Sequence, residues 1–182
     1  PMNAIVGFSH LLREPELSSQ TLNHYVDIIT AKANLLMQII NDIIDISKVE
    51  AGEIDIAKSV CNIDDLMNEL YSTFTGVLKS AQKSHIDLKK ILPERNFQNT
   101  AFTDPFRLRQ ILSNLLDNAI KFTHEGFVEY GYKMIPETNP EKIEFFVRDS
   151  GIGISEENLE IIFTRFRQID ESHTRKYGGT GL

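Results

Sequence analysis

The sequence has one cysteine, no long apolar run, no excess of basic charge and no internal repeat, and each absence narrows the field. A lone Cys61 cannot form an internal disulfide and leaves no thiolate cluster for structural zinc. It reads as a small buried hydrophobe in a reducing compartment. No stretch of about 18 apolar residues exists, so nothing in the chain is expected to span a bilayer. The greasiest segment, residues 35–46, is broken by Gln38, Asn41, Asp42 and Asp45. With 19 basic against 26 acidic residues, the net charge of -7 argues against nucleic acid or an anionic membrane surface as the main partner. No signal peptide opens the chain at Pro1. What remains is 182 residues, 41% hydrophobic and 25% charged, the balance of a folded protein with one domain, or one domain and an appendage.

The first fifty residues predict two helices. Residues 2–13 carry Met2, Ile5, Val6, Phe8 and Leu12 at helical spacing, and residues 14–19 form a turn with serines ready to cap the next helix. That helix is long and is expected over residues 20–51. Its Leu22, Val26, Ile29, Ala33, Leu36, Ile40 and Ile43 follow alternating steps of four and three, a heptad seam. A second stripe, from Tyr25 through Ile28, Leu35, Ile39 and Ile46 to Val49, lies beside it. So broad an apolar face needs more than one partner helix, and dimerisation through residues 1–51 into a four-helix bundle would cover it. A monomeric hairpin packed on the rest of the chain is the alternative. Gly52 closes the helix.

Beyond residue 54 the pattern becomes α+β. Asp64 or Asp65 is expected to cap a helix bearing Leu66, Leu70, Phe74, Val77 and Leu78, followed by a short strand at residues 86–88. Asp104 and Pro105 open a helix to Phe122. Residues 127–135 and 142–148 read as antiparallel strands joined by residues 136–140. A short helix over 156–163 precedes a polar, glycine-ended segment to Leu182.

Three features carry chemistry. In helix 105–122, Arg107, Asn114, Asn118 and Lys121 share one stripe, opposite Leu108, Ile111, Leu112, Leu115 and Ala119. A solvated face explains most such stripes. Two asparagines deep in a helix fit that explanation less well, because their amides compete for backbone hydrogen bonds. A neutral oxygen facing a cleft suits a magnesium ion whose other ligands are water and phosphate. Next, Asp149-Ser-Gly151-Ile-Gly153 comes directly after the apolar strand. It reads either as an ordinary turn or as an acceptor for an exocyclic amine, with glycines admitting a planar base. Last, Gly178-Gly179-Thr-Gly181-Leu182 is a glycine-rich segment of the kind that cradles phosphate. It is neither a Walker A loop nor a dinucleotide fingerprint.

In this order and spacing the three resemble the catalytic core of sensor histidine kinases, most closely the hybrid two-component type. Asn114-Leu-Leu-Asp-Asn118-Ala-Ile-Lys121-Phe122-Thr resembles the N box of that family, and Asp149 to Gly153 its G1 box. Phe163-Thr-Arg-Phe166 resembles the F box and Arg175-Lys-Tyr-Gly-Gly179-Thr-Gly181-Leu182 the G2 box. Pro1-Met-Asn-Ala-Ile-Val-Gly-Phe-Ser is similar to the segment after the phosphoacceptor histidine. The resemblance covers essentially the whole chain.

It implies an antiparallel helical hairpin for dimerisation and phosphotransfer at residues 1–52, lacking its start. An α/β-sandwich ATP-binding domain at residues 53–182, lacking its end, would come next. It further implies ATP and Mg2+ as cofactors. Asn118 would be the metal ligand with Asn114 beside it, Lys121 would lie near the phosphates and Phe122 near adenine. Asp149 would accept the adenine amine, and Gly151 and Gly153 would line the base. Residues 164–177 would form a lid, Arg175 would contact phosphate, and Gly179 and Gly181 would complete the cradle. The partners implied are a second copy of the chain and a response-regulator receiver domain. The expected location is cytoplasmic, as part of a membrane-bound sensor.

The phosphoacceptor histidine is placed upstream of Pro1, so His10, His24, His85, His124 and His173 are not assigned to that role, and this stretch alone is not expected to autophosphorylate. Two alternatives stand beside this reading. A gyrase-like ATPase needs a glutamate one turn before the metal asparagine, where this chain has Asn114, which cannot act as a general base. A non-catalytic module that dimerises and docks a receiver domain would leave the N and G1 boxes without a purpose.

Overall fold

The computed structural model describes residues 1–93, 99–135, 142–162 and 164. The chain divides into two compact units, with the first division after Ile54.

The first unit holds helices α1 (Met2–Leu11) and α2 (Ser19–Ala51). Ser18 caps α2, its Oγ accepting the Thr21 N–H at 3.1 Å, and Gly52 ends it in the left-handed region at φ 69°. The helices meet where the rings of Phe8 and Tyr25 lie 5.3 Å apart. Neither helix contains a buried residue. Of the heptad seam, Leu22, Val26, Ile40 and Ile43 are exposed, and Ile29, Ala33 and Leu36 are half-buried. The hairpin is as expected, with α1 two residues shorter.

The second unit is α+β. Strands β1 (Ser59–Asn62) and β3 (Thr100–Thr103) form an antiparallel pair, and β2 (Asp87–Ile91), β4 (Phe127–Ile135) and β5 (Lys142–Asp149) form a sheet in the order β2-β4-β5. β2 runs parallel to β4, and β5 runs antiparallel to it with Val128 opposite Asp149. Helices α3 (Ile63–Ser80) and α4 (Pro105–Phe122) supply Leu66, Met67, Leu70, Phe74, Leu112, Leu116 and Ile120 to the core, against Val128, Tyr130 and Tyr132 of β4. Both tyrosines are tied by their hydroxyls. Tyr130 donates to the Met67 carbonyl at 2.8 Å and Tyr132 to Asp64 Oδ1 at 2.7 Å. The other sheet face is laced with charge, where Glu129 meets Arg148 at 3.3 Å and Lys133 meets Glu144 at 3.0 Å. One packed and one solvated face is the usual arrangement of an antiparallel pair.

Four expectations need correction. Asn62, not Asp64 or Asp65, caps α3, with its Oδ1 accepting the Asp65 N–H at 3.3 Å; the two aspartates sit in the first turn, where the helix dipole favours them. Ile111 and Leu115 are exposed, because the buried stripe of α4 is centred on Leu112, Leu116 and Ala119. β1 and β3 were not expected at all. α5 (Glu156–Leu159) is a single turn rather than a helix to residue 163. The expected connection at residues 136–140 lies outside the described residues.

Asp104 fixes the start of α4. Its carboxylate is buried and accepts three N–H groups, from Phe106 at 3.0 Å and from Arg107 and Ala57 at 3.1 Å each. The Arg107 N–H above all, with those of Ala57 and Phe106 and the Arg107 charge, holds the carboxyl below its ordinary 3.8 against an opposing effect of burial. A depressed carboxylate contributes stability that is present above the unfolded value and lost as pH falls through the folded one. Asp104→Asn is therefore expected to lower the melting temperature of this unit at neutral pH. The gap to the unmodified chain should close below pH 3.8. Melting curves across that range check it.

Candidate functional site

The helix expected to carry the site is present as read. Asp104 and Pro105 start α4, and Phe122 ends it. Asn114 and Asn118 are exposed on the side away from the core, with Lys121 half-buried beside them. The Lys121 ammonium lies 4.8 Å from the centroid of the Phe122 ring. Burial pulls the Lys121 pKa below its usual value. An ammonium partly stripped of water in this way gains from an anion placed near it.

β5 delivers the second component. Asp149 is its last residue, on the sheet face that looks toward the helices, since it pairs in register with buried Val128. The Asp149 Oδ1 accepts the Gly151 N–H at 2.9 Å, which leaves Oδ2 as a further acceptor. The turn behind it is pinned by Ser150, whose Oγ accepts the Phe127 N–H at 2.8 Å and whose N–H donates to the Phe127 carbonyl at 3.1 Å.

The two components touch. The Ile152 N–H donates to the Phe122 carbonyl at 3.3 Å. Gly151 lies so close that a Cβ there would stand 2.5 Å from the same oxygen. Gly153 lies two residues on at φ 69°, in the left-handed region, with open space around it. A motif on a helix and a motif on a strand end, about thirty residues apart in sequence, thus form one continuous backbone surface. Thr123, the next residue of the helix end, is fully buried, and its hydroxyl has no hydrogen-bond partner among the described residues.

A metal fits here only in company. Among the described residues no group of three or more His, Cys, Asp or Glu could hold an ion alone. An asparagine amide, a neutral oxygen donor, suits Mg2+ that arrives with phosphate oxygens already bound. Arg175, Gly179, Gly181 and the expected lid beyond Thr164 lie outside the described residues.

One contact at the end of α4 has no signal in the sequence. Lys83, in the loop after α3, reaches the last turn of α4, and its Nζ donates to the Ile120 carbonyl at 2.7 Å. Nothing in the spacing of residues around it signals a contact 37 residues away.

Comparison with known proteins shows what the chain is similar to. Residues 103–182 match the family described as histidine kinase-, DNA gyrase B-, and HSP90-like ATPase, and residues 1–52 match the His kinase A (phospho-acceptor) domain. The chain is 38% identical over 183 residues to the sensor protein GacS of Pseudomonas syringae pv. syringae, covering all of this chain and 20% of that protein. It is 34% identical over 190 residues to the signal transduction histidine-protein kinase BarA of Escherichia coli K12, covering all of this chain and 19% of that one. The chain thus spans about a fifth of the length of these curated relatives. Among solved structures, full-length ShkA in complex with AMPPNP superposes with a TM-score of 0.72 at 25% identity, over 100% of this chain and 36% of that one. The histidine kinase ThkA in complex with the response regulator TrrA gives 0.67 at 25% identity, over 92% and 47%. The chain belongs to the sensor histidine kinases, and its residues form part of their catalytic core.

Proposed function

We propose that this chain is the core of an ATP-dependent protein-histidine kinase in a two-component system. It would transfer the γ-phosphate to a histidine preceding Pro1 and from there to a response-regulator aspartate. The observation that carries the reading is the junction at Phe122, where the asparagine-bearing helix and the Asp149 turn are held together by the Ile152 N–H. In the proposed roles, Asn118 holds Mg2+ through its amide oxygen with Asn114 alongside, and Lys121 faces the phosphates. Phe122, Gly151 and Gly153 line the base, and Asp149 accepts its amine. Arg175, Gly179 and Gly181 complete the phosphate side. Bound Mg2+ would neutralise phosphate charge as it develops. The residues of the chain orient the nucleotide, and positioning with electrostatics supplies most of the catalysis of phosphoryl transfer.

Residues 1–52 would be the dimerising and phosphotransfer hairpin and residues 53–182 the ATP-binding domain. Two helices without one buried residue support closure into a four-helix bundle with a second copy, at about 25 cal/mol per Å2 of apolar surface covered. That ThkA was solved with a response regulator supports a receiver domain as the second partner. No helix among the described residues is long and apolar enough to cross a membrane, in keeping with the cytoplasmic part of a membrane-bound sensor. The amide of Asn114 in place of a carboxylate favours transfer to protein over hydrolysis of ATP.

Labelled ATP tests the reading. With magnesium, residues 1–182 are expected to bind ATP yet take no acid-labile, base-stable label on any of their five histidines. A chain extended with the residues preceding Pro1 should take such label. Stable label mapped to His10 would overturn the placement of the acceptor, and hydrolysis without transfer by the extended chain would favour the ATPase.

A further inference from the structure

The end of α4 is held from outside the helix. A helix C-terminus leaves its last carbonyls without intrahelical donors, and they carry the negative end of the helix dipole. In α4 the Ala119 carbonyl still takes the Thr123 N–H at 3.0 Å, and Phe122 takes Ile152. The remaining three oxygens share one cation. Lys83 Nζ donates to Ile120 at 2.7 Å, to Thr123 at 3.1 Å and to Lys121 at 3.4 Å.

The path of the chain explains how Lys83 comes to be there. α3 ends with the Lys83 N–H bonded back to the Leu78 carbonyl at 2.8 Å and the Gln82 N–H to Lys79 at 3.2 Å. Gln82 takes the left-handed conformation at φ 57°, which is the geometry of a Schellman cap. The chain then turns along the α4–β4 corner. There His85 Nε2 meets the His124 carbonyl at 2.8 Å and the Asp87 N–H donates to Gly126 at 2.9 Å.

We propose that Lys83 is a positioning residue for the nucleotide site. Its ammonium fixes the last turn of α4, and through the Phe122 carbonyl it sets where the Gly151–Ile152 turn and Asp149 stand. The proposal rests on the reading of that site given above. An ammonium has three protons for three converging carbonyls, whereas the planar fork of arginine cannot reach all three at once.

The test separates positioning from mere stability. Lys83→Met in the full chain is expected to weaken ATP and adenosine binding by about tenfold, measured by calorimetry well below its melting temperature. In the ligand-free protein it should also speed hydrogen exchange at the Ile152 amide. A purely structural lysine would lower the melting temperature and leave both readings of the folded protein unchanged, and that outcome overturns the proposal. If Lys83→Met does not fold, Lys83→Arg decides, with wild-type affinity and exchange counting against the idea. Failure of the unmodified chain to bind ATP would sink the site reading instead. The exchange rate at Ile152 would then judge Lys83 alone.

Discussion

Gly151→Ala should weaken nucleotide binding at least about a hundredfold in a protein that still folds. The new methyl would stand 2.5 Å from the Phe122 oxygen, 2.9 Å from its carbon and 2.8 Å from Asp149 Oδ1. Two of those atoms are backbone at a helix end that Lys83 and Thr123 already hold, so they cannot retreat cheaply. The turn must lift instead, breaking the Ile152 bond and moving Asp149. Overpacking of this kind costs roughly 1–3 kcal/mol. That is tolerable for the fold, and the displaced turn should cost at least about a hundredfold in ATP affinity. Gly153→Ala is the internal control. It meets no atom and carries only the strain of its left-handed backbone, about 1–2 kcal/mol, so its effect on binding should be smaller. Calorimetric titration with ATP, paired with thermal melts, reads both. Wild-type affinity in Gly151→Ala would falsify the contact as a determinant of the site.

Asn118→Ala and Asp149→Asn should damage binding in separable ways. Asn118 stands on the helix face proposed to meet magnesium and phosphates, so its loss should weaken Mg-ATP far more than adenosine. Asp149 sits at the strand end. As asparagine it could still accept the Gly151 N–H through its carbonyl oxygen, but it would present an amino group where the adenine amine needs an acceptor. A lost charge-assisted bond costs on the order of 1.5–3 kcal/mol, or about tenfold to over a hundredfold. That loss should fall equally on ATP and adenosine, with or without metal, and preference against GTP should relax. Titrations of ATP, adenosine and GTP with and without magnesium separate the two residues. Unchanged adenosine binding in a folded Asp149→Asn protein means the base lies elsewhere.

The elements that were legible in the sequence are those whose signals are local. α4 could be bounded to the residue because an aspartate, a proline and a 3.6-residue period all lie within it. The same periodicity cannot say where the core ends on that helix, so it puts Ile111 and Leu115 with the buried side. β1 and β3 were invisible for a different reason. Each has four residues, their partner lies about forty positions away, and Val60 and Phe102 turn outward where a strand reader expects a polar residue. The cap of α3 was misplaced because three closely spaced candidates, Asn62, Asp64 and Asp65, offer an oxygen near its start, and only backbone geometry chooses among them. At the proposed site, the motif residues follow from the family resemblance, whereas Lys83 does not. Its role depends on the direction in which a left-handed Gln82 sends the chain.

The absence of any buried residue in α1 and α2 bears on how the two units come apart. The sheet-bearing unit has its own core, and its unfolding is a property of one chain. In the proposed dimer the helical unit would obtain its apolar burial by association, so its stability would be set by mass action and not by sequence alone. For that unit dilution would act as a denaturant, and any binder of the apolar seam as a folding cofactor. A single melting temperature for the whole chain would then be undefined until the protein concentration is stated.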